Sequence, residues 1–542
     1  MTVDRAAWTV LDTHFGNGQD FWNQVGGWKT DSNRPSMLHY VGICPLDEPL
    51  QWIPELEAVL TGIASGFHRI TFEVGHVSLT LCLCNRKQAL EQLNMQANAV
   101  RLKPSHAMWD VWALKAVAKL CCPEASVFLD SALELAPQQM AEADFFAESG
   151  VGFADGLNAY SFRPRSPLTR RGLVGRASPP TDCVVIGAGL AGASIARALA
   201  VRGCQVTVLD SSSEPAHGAS GLPVGLMAPH VSADDSALSR LSRNGVRLMM
   251  QHASEMLTRG RDWEPSGVIE IQDNGSALRH AQAGWIRPAQ LVHAWLDHPA
   301  IRFKGRSEVH TMERRQGQWI LTGEHSQVLA KASHLVLANA SGCRTLLQDP
   351  SASCELDPEF HEKLDGLQEV FGTLSHAPMV CAELALQSTQ LPGTPVNGNG
   401  SFVHSVEFQS ELQWFAGSTF ETDPSQWADK PGQHWANHQK LCQLLPGIGE
   451  ALRVPFEQGR VSAWSGVRCV SHDRLPLVGP ISASTPHHLW MNAAMGARGL
   501  SLSALCAQLL VAQMFGEPLP VEANLARQLN ATRPRRKHKA LD

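Results

Sequence analysis

The segment Val184-Val185-Ile186-Gly187-Ala188-Gly189-Leu190-Ala191-Gly192 constrains this chain more than any other. In such a triplet the first glycine allows a sharp turn. The second lets backbone N–H groups approach a pyrophosphate, and the third lets a helix pack closely on a strand. The flanks agree: Asp182 to Ile186 reads as a short buried strand, Leu190 to Val201 as a small-residue helix, and Gln205 to Leu209 as the next strand. Asp210 ends that strand, where an acid hydrogen-bonds an adenosine ribose. The unit predicts a parallel βαβ nucleotide site using Gly187, Gly189, Gly192 and Asp210. By itself it does not separate FAD from NAD.

The chain has 542 residues, enough for two to four domains, and its hydrophobic share of 44% can fill large cores. A net charge of −6 argues against a dedicated basic nucleic-acid protein while allowing a local basic patch. The 13 cysteines include no Cys-x-x-Cys pair and follow no secretory leader, so the expectation is reduced thiols in the cytoplasm and no metal site. No apolar run of about 20 residues is evident, so no membrane span is expected; the runs near Val184 and Leu509 read as buried core elements.

A composition break lies between Ser161 and Pro180. It carries Arg163, Arg165, Arg170, Arg171 and Arg176 with no acid among them, and reads either as a solvated linker or as a phosphate-contacting strip. Before it, Met37 to Val41 and Val77 to Leu83 read as strands alternating with helical patterns such as Trp109 to Leu120. After the βαβ unit, Val268 to Gly459 reads as a second lobe with an antiparallel sheet, with Trp319-Ile320-Leu321 and Gln413-Trp414-Phe415 among its strands. Ala504 to Met514 reads as a closing helix, and the basic tail from Arg533 to Lys539 as disordered. The expected boundaries are an N-terminal α/β domain at 1–162, a linker at 163–180, a nucleotide domain at 181–267, 331–345 and 461–530, a substrate lobe at 268–330 and 346–460, and a tail at 531–542.

Later motifs separate the cofactors. Gly218-Ala219-Ser220-Gly221 allows close backbone approach to a bulky ligand. Trp464-Ser465-Gly466-Val467-Arg468, Asp473-Arg474-Leu475-Pro476-Leu477-Val478-Gly479 and Met495-Gly496-Ala497-Arg498-Gly499-Leu500-Ser501 follow. This layout resembles the D-amino-acid oxidase and glycine oxidase group of flavoproteins. The resemblance implies FAD as cofactor, contacts from Ser220, Gly221, Gly496, Gly499 and Leu500, and a substrate carboxylate held by Arg468 with help from Arg498. A bidentate guanidinium suits a planar carboxylate. No general base is compelled, because a neutral amine can deliver hydride directly; His230 reads as a packing histidine.

The stretch GASGLPVGLMAPHVSADDSALSRLSR from Gly218, with SGVRCVSHDRLPLVGP and MGARGLSLSALCAQLL, also resembles the bacterial bifunctional enzymes that finish 5-methylaminomethyl-2-thiouridine at the tRNA wobble position. That resemblance implies oxidative removal of a carboxymethyl group from tRNA uridine, with glyoxylate as product. It also implies an N-terminal S-adenosylmethionine methyltransferase domain. Thr13-His14-Phe15-Gly16-Asn17-Gly18 resembles that domain's glycine loop, and the loop stands so near the start that the family's leading segment is expected to be missing. The acids expected after the next strands fall instead on Gly42-Ile43-Cys44-Pro45 and Cys84-Asn85-Arg86. The acceptor-site stretch has shrunk to Lys103-Pro104-Ser105-His106.

The fold expected is therefore α/β. A degenerate Rossmann-like methyltransferase domain precedes a FAD-binding Rossmann-type domain interleaved with an antiparallel-sheet substrate lobe. The function expected is a FAD oxidoreductase of tRNA without methyl transfer. The rival readings are the complete bifunctional enzyme, an oxidase of a free small amine such as glycine or sarcosine, and a non-enzymatic RNA-binding flavoprotein. No membrane partner is expected, and the oligomeric state is open.

Overall fold

The computed structural model describes residues 7–47, 51–105, 108–148, 158–165, 179–349, 356, 358–381, 391–481 and 488–534. They form two compact units, one of residues 1–180 with 508–528, the other of residues 181–507 with 529–542.

In the first unit, strands β1 (Ala7–Asp12), β2 (Met37–Cys44), β3 (Gly66–Phe72), β4 (Val77–Leu83), β5 (Ala97–Leu102), β6 (Cys121–Leu129), β7 (Phe145–Ala147) and β8 (Asn158–Phe162) form one sheet. Its order is β3-β4-β2-β1-β5-β6-β8-β7. The run β4-β2-β1-β5-β6 is parallel, and β3, β7 and β8 pair antiparallel at the two edges. Strands β2 and β4 are buried along their whole length, as near-continuous apolar runs in a doubly covered parallel sheet require. The chain reverses its direction of travel across the sheet between β1 and β5, the place where open α/β sheets leave a crevice at their strand ends.

The segment 508–528 belongs to this unit through specific bonds. Arg69 on β3 is 1% exposed and donates to the Ser78 hydroxyl at 2.8 Å and to the Pro518 carbonyl. The Glu522 carboxylate accepts from the Phe67 amide at 3.3 Å, and the Leu519 amide reaches the Asn94 carbonyl at 3.1 Å.

The second unit is built on a six-stranded sheet. Its order is Ile301–Lys304, β10 (Gln205–Leu209), β9 (Asp182–Ile186), His334–Leu337, Leu489–Ala493 and Leu477–Pro480. All pairs are parallel except the last. Strand β9 and the helix Leu190–Val201 occupy the expected residues. A seven-stranded sheet forms the other lobe. Its pairs are antiparallel apart from Val268–Ile271 with Val396–Gly398.

Four details differ from the sequence reading. The strand Ser462–Val470, which carries Arg468, pairs along its length with Gln368–Pro378 and so closes the edge of the seven-stranded sheet. Trp319 lies in a separate three-stranded sheet. Its indole is fully buried in one core with Val184 and Leu335 of the nucleotide sheet. Arg533 is not a solvated tail residue. It is 8% exposed and clamps Asp473 at 2.9 and 2.7 Å, because the acid on a neighbouring turn captures the guanidinium fork. The helical stretch Gly496–Phe515 is long and apolar enough to cross a membrane, yet 78% of its apolar window is buried inside the protein, as a core helix is.

The described linker arginines are paired: Arg165 with Asp144 at 3.0 Å and Arg163 with Glu124 at 3.9 Å. Arg170, Arg171, Arg176 and the tail from Arg535 lie outside the described residues.

Because Arg69 is buried and donates to both through its terminal nitrogens, Arg69→Ala strands the Pro518 carbonyl and the Ser78 hydroxyl. The expected loss is on the order of 3 kcal/mol. Thermal unfolding followed by circular dichroism should show a midpoint several degrees lower. An unchanged midpoint would mean that 508–528 is held by packing alone.

Candidate functional site

The loop after β9 is shaped by what it lacks. Gly187 has φ +104°, and a Cβ there would stand 2.6 Å from the Ala338 carbonyl oxygen on the neighbouring strand's exit. A Cβ on Gly192 would stand 1.8 Å from the Gly187 carbonyl oxygen, so the helix lies directly on the turn. Gly189 caps the helix, with the Ser220 hydroxyl 2.9 Å from where its Cβ would be. The Ser220 hydroxyl accepts from the Leu190 amide at 2.9 Å. The amides of Ala191 and Gly192 are left without an acceptor inside the helix.

Asp210 stands at the end of β10, where the sequence places it. Its carboxylate also braces the loop, accepting from the Ala188 amide at 2.7 Å and the Ser212 amide at 2.9 Å. Ser220 and Gly221 sit in a short 3-10 turn, Ala219–Gly221. Gly496 has φ +57° against Val470, and Gly499 opens the helix Gly499–Phe515 with its Cβ position 3.3 Å from Leu190. Two helix N-termini therefore converge, an arrangement that favours anionic ligands. Leu500 is buried against Gly225.

Arg468 lies on the sheet face shared by Trp464 and Gly466, two-residue neighbours along the strand. Its guanidinium donates to the Ser418 hydroxyl at 2.6 Å and the Thr419 carbonyl at 3.3 Å, and it covers the Phe420 ring at 4.4 Å from the centroid. Burial lowers its pKa to about 10, which leaves it charged at neutral pH. It has no acidic partner among the described residues, and three of its five N–H groups remain to receive an anion. The sequence reading missed what makes room for it. A Cβ on Gly372 would stand 2.5 Å from Arg468 Nη1, so the guanidinium lies flat over a bare backbone. Only the strand pairing brings Gly372 beneath it.

Arg498 sits in the turn Gly496–Arg498. Met495, just before that turn, bridges to Val470, so the strand carrying Arg468 ends against the turn carrying Arg498. Burial and the nearby Arg474 lower the Arg498 pKa. Asp473, the adjacent acid, is already taken by Arg533. His230 is also here. Its amide donates to the Ser242 hydroxyl at 2.8 Å, and burial together with Arg498 holds its ring below the ordinary 6.5. The strand end and the turn thus carry two guanidinium groups that have no acidic partner among the described residues.

The corresponding crevice in the first unit is filled by its own side chains. Asp12, at the end of β1, is fully buried and accepts from the Tyr40 hydroxyl at 2.6 Å and Lys103 Nζ at 2.8 Å. Lys103 also pairs with Asp20 at 2.6 Å. Burial opposes its charge, and the two carboxylates outweigh that and raise its pKa. Phe15 lies on Gly42 of β2, where a Cβ would be 2.3 Å from its ring. Arg86 stacks on Trp109 at 3.9 Å and donates to the Ser105 hydroxyl and the Met108 carbonyl.

Known proteins resemble the chain throughout. The family described as FAD dependent oxidoreductase matches residues 182–276 and 252–513. The tRNA 5-methylaminomethyl-2-thiouridine biosynthesis bifunctional protein MnmC of Albidiferax ferrireducens is 38% identical over 97% of this chain and 93% of that protein. The protein of the same name from Polaromonas naphthalenivorans is 36% identical over 96% of this chain and 89% of that one. Among solved structures, glycine oxidase from Geobacillus kaustophilus aligns with 62% of this chain and 95% of its own, at 17% identity and a TM-score of 0.46.

The turn yields a titration test. A histidine whose folded pKa lies below 6.5 resists protonation that the unfolded chain accepts, so His230 destabilises the fold as pH falls below 6.5. Replacing Arg498 by Met removes the neighbouring positive charge. The His230 midpoint, read by NMR, should then rise toward 6.5. An unmoved midpoint would place the two side chains apart.

Proposed function

This chain belongs to the family of bifunctional tRNA 5-methylaminomethyl-2-thiouridine biosynthesis proteins and contains its FAD-dependent oxidoreductase domain. From that premise we propose that it oxidatively removes the carboxymethyl group of 5-carboxymethylaminomethyl-uridine in tRNA, leaving the 5-aminomethyl form and glyoxylate, and that its first unit transfers no methyl group. Its place of work is the cytoplasm, where tRNA is.

The observation that carries the oxidase reading is Arg468: a half-buried guanidinium without an acidic partner among the described residues, flat over Gly372, on the sheet face that also carries Trp464. An N-substituted glycine offers the matching carboxylate. Arg468 grips it as a fork, and Arg498 adds charge from the adjoining turn. Held so, the methylene between nitrogen and carboxylate has one orientation. His230, kept neutral by burial and by Arg498, competes for no proton at pH 7.

FAD fits the residues present. The Gly187 turn excludes a Cβ, two helix N-termini converge, and Asp210 stands at the end of the second strand. Gly187, Gly189 and Gly192 would receive the pyrophosphate, Asp210 the ribose, and Ser220, Gly221, Gly496, Gly499 and Leu500 the remainder. When bound, FAD supplies the two-electron oxidation, accepting a hydride from the methylene carbon. Water then divides the resulting carbon–nitrogen double bond between the aminomethyl nucleoside and glyoxylate.

The closed crevice supports the inactivity of the first unit. S-adenosylmethionine has ribose and adenine donors that need acceptors at the strand ends, and there Asp12 and Asp20 are bound by Lys103. Donors buried unpaired cost about 1–3 kcal/mol each. Calorimetry should show no binding of S-adenosylmethionine by the full chain, and no labelled methyl should reach aminomethyl-tRNA. A micromolar dissociation constant would restore the bifunctional reading.

The oxidase is tested by incubating the purified yellow protein with tRNA bearing the carboxymethylaminomethyl group and identifying the wobble nucleoside after digestion. Arg468→Met should keep the flavin absorbance and lower kcat/KM by a factor of ~30 or more, corresponding to ~2–5 kcal/mol. Arg468→Lys should rescue little, since a point charge does not replace the fork. Near-normal turnover by Arg468→Met would put the carboxylate elsewhere.

A further inference from the structure

Phe420 is 55% exposed, yet the turn that carries it is held by several hydrogen bonds. Arg468 donates to Ser418 and Thr419, and Lys440 Nζ donates to the Ser418 carbonyl at 2.9 Å. The Thr419 amide reaches the Thr373 carbonyl at 3.1 Å, and the Thr373 amide reaches the Thr419 hydroxyl at 3.0 Å. Phe371 and Glu421 exchange two backbone bonds of 2.8 Å. Single exposed apolar side chains are ordinary. An exposed phenyl ring on a held turn, in contact with the guanidinium assigned to the substrate carboxylate, is not.

We propose that Phe420 is the platform on which the pyrimidine ring of the substrate stacks, and that it makes the site one for a base-linked glycine rather than for a free amino acid. The proposal rests on the oxidase reading above. Four bonds of about 1.5 Å separate the carboxylate carbon from ring carbon C5 in the expected substrate, a span of about 5 Å when extended. The Arg468 guanidinium lies 4.4 Å from the Phe420 centroid, so the ring falls within the reach of a base tethered by that span to a carboxylate on Arg468. The charges around the platform suit a nucleic acid. Lys440 lies close enough to Arg468 for the two cations to interact, and Lys430, over the Trp427 ring at 4.1 Å, donates to Ser465 on the strand of Arg468. Glu421 is the acid that acts on Lys440. Aromatic platforms beside cations are the usual way in which unstacked bases are held.

The test compares Phe420→Ala and Phe420→Trp with the parent on two ligands. One is the nucleoside 5-carboxymethylaminomethyluridine, followed as aminomethyluridine formed. The other is sarcosine, a carboxylate without a base, measured as a competitive ligand. Phe420→Ala should raise KM for the nucleoside about tenfold to a hundredfold, leave the inhibition constant of sarcosine unchanged, and keep the flavin spectrum. Phe420→Trp should restore KM. An unchanged nucleoside KM overturns the proposal. So does a parallel loss for both ligands, because Phe420 would then act only by propping Arg468. If the parent itself leaves the nucleoside and the modified tRNA untouched, the oxidase reading fails first, and the two failures are told apart before any variant is made.

Discussion

Everything in the second unit depends on one contact, the seat of Gly192 on the carbonyl oxygen of Gly187. The distance available to a Cβ there is 1.8 Å, less than any side chain tolerates. That contact lets the helix Leu190–Val201 lie close against β9 and aims its free amides across the turn. It also sets where neighbouring pieces can stand. Ser220 reaches the first helical amide, Asp210 braces Ala188, and Gly499 brings a second helix end against Leu190. A methyl group at Gly192 would push the helix outward and undo all three.

The substrate side shows the same economy of space. Arg468 stays charged while partly buried because burial lowers its pKa only to about 10, and its hydrogen bonds go to uncharged oxygens. An acid in that place would neutralise the guanidinium and leave nothing for a substrate carboxylate. Close by in the chain, Asp473 is held by Arg533, a residue that the sequence alone assigns to a loose basic tail.

The two units treat the same architectural opening in opposite ways. Both have a parallel sheet whose strand order reverses, and both carry a glycine loop at that point. In the second unit small residues keep the opening clear. In the first, Lys103 bridges Asp12 and Asp20, Phe15 covers Gly42, and Arg86 lies on Trp109. The partly buried ammonium has its charge balanced from within, and a donor ligand finds the acceptors occupied.

Much of this was written locally and so could be read from the chain. The βαβ unit was legible because strand, glycine triplet, helix and acid are contiguous and each obeys a short-range steric rule. Arg468 and Arg498 were legible because their motifs are contiguous too. The first unit's lost acids were visible as absences, but not what replaced them. What escaped is what depends on distant pairing. Gly372 lies far from Arg468 in the chain and meets it only through the register of two antiparallel strands. Phe420 looks like any surface phenylalanine until the turn that holds it is placed under the guanidinium. Arg533 reads as tail until Asp473 is brought to it, and the segment 508–528 reads as the end of one domain until its bonds to β3 assign it to another. The sequence by itself determined which local pieces form and what chemistry they carry. The tertiary structure alone decided which charges are left unpaired, because pairing depends on distances between residues that the order of the chain does not contain.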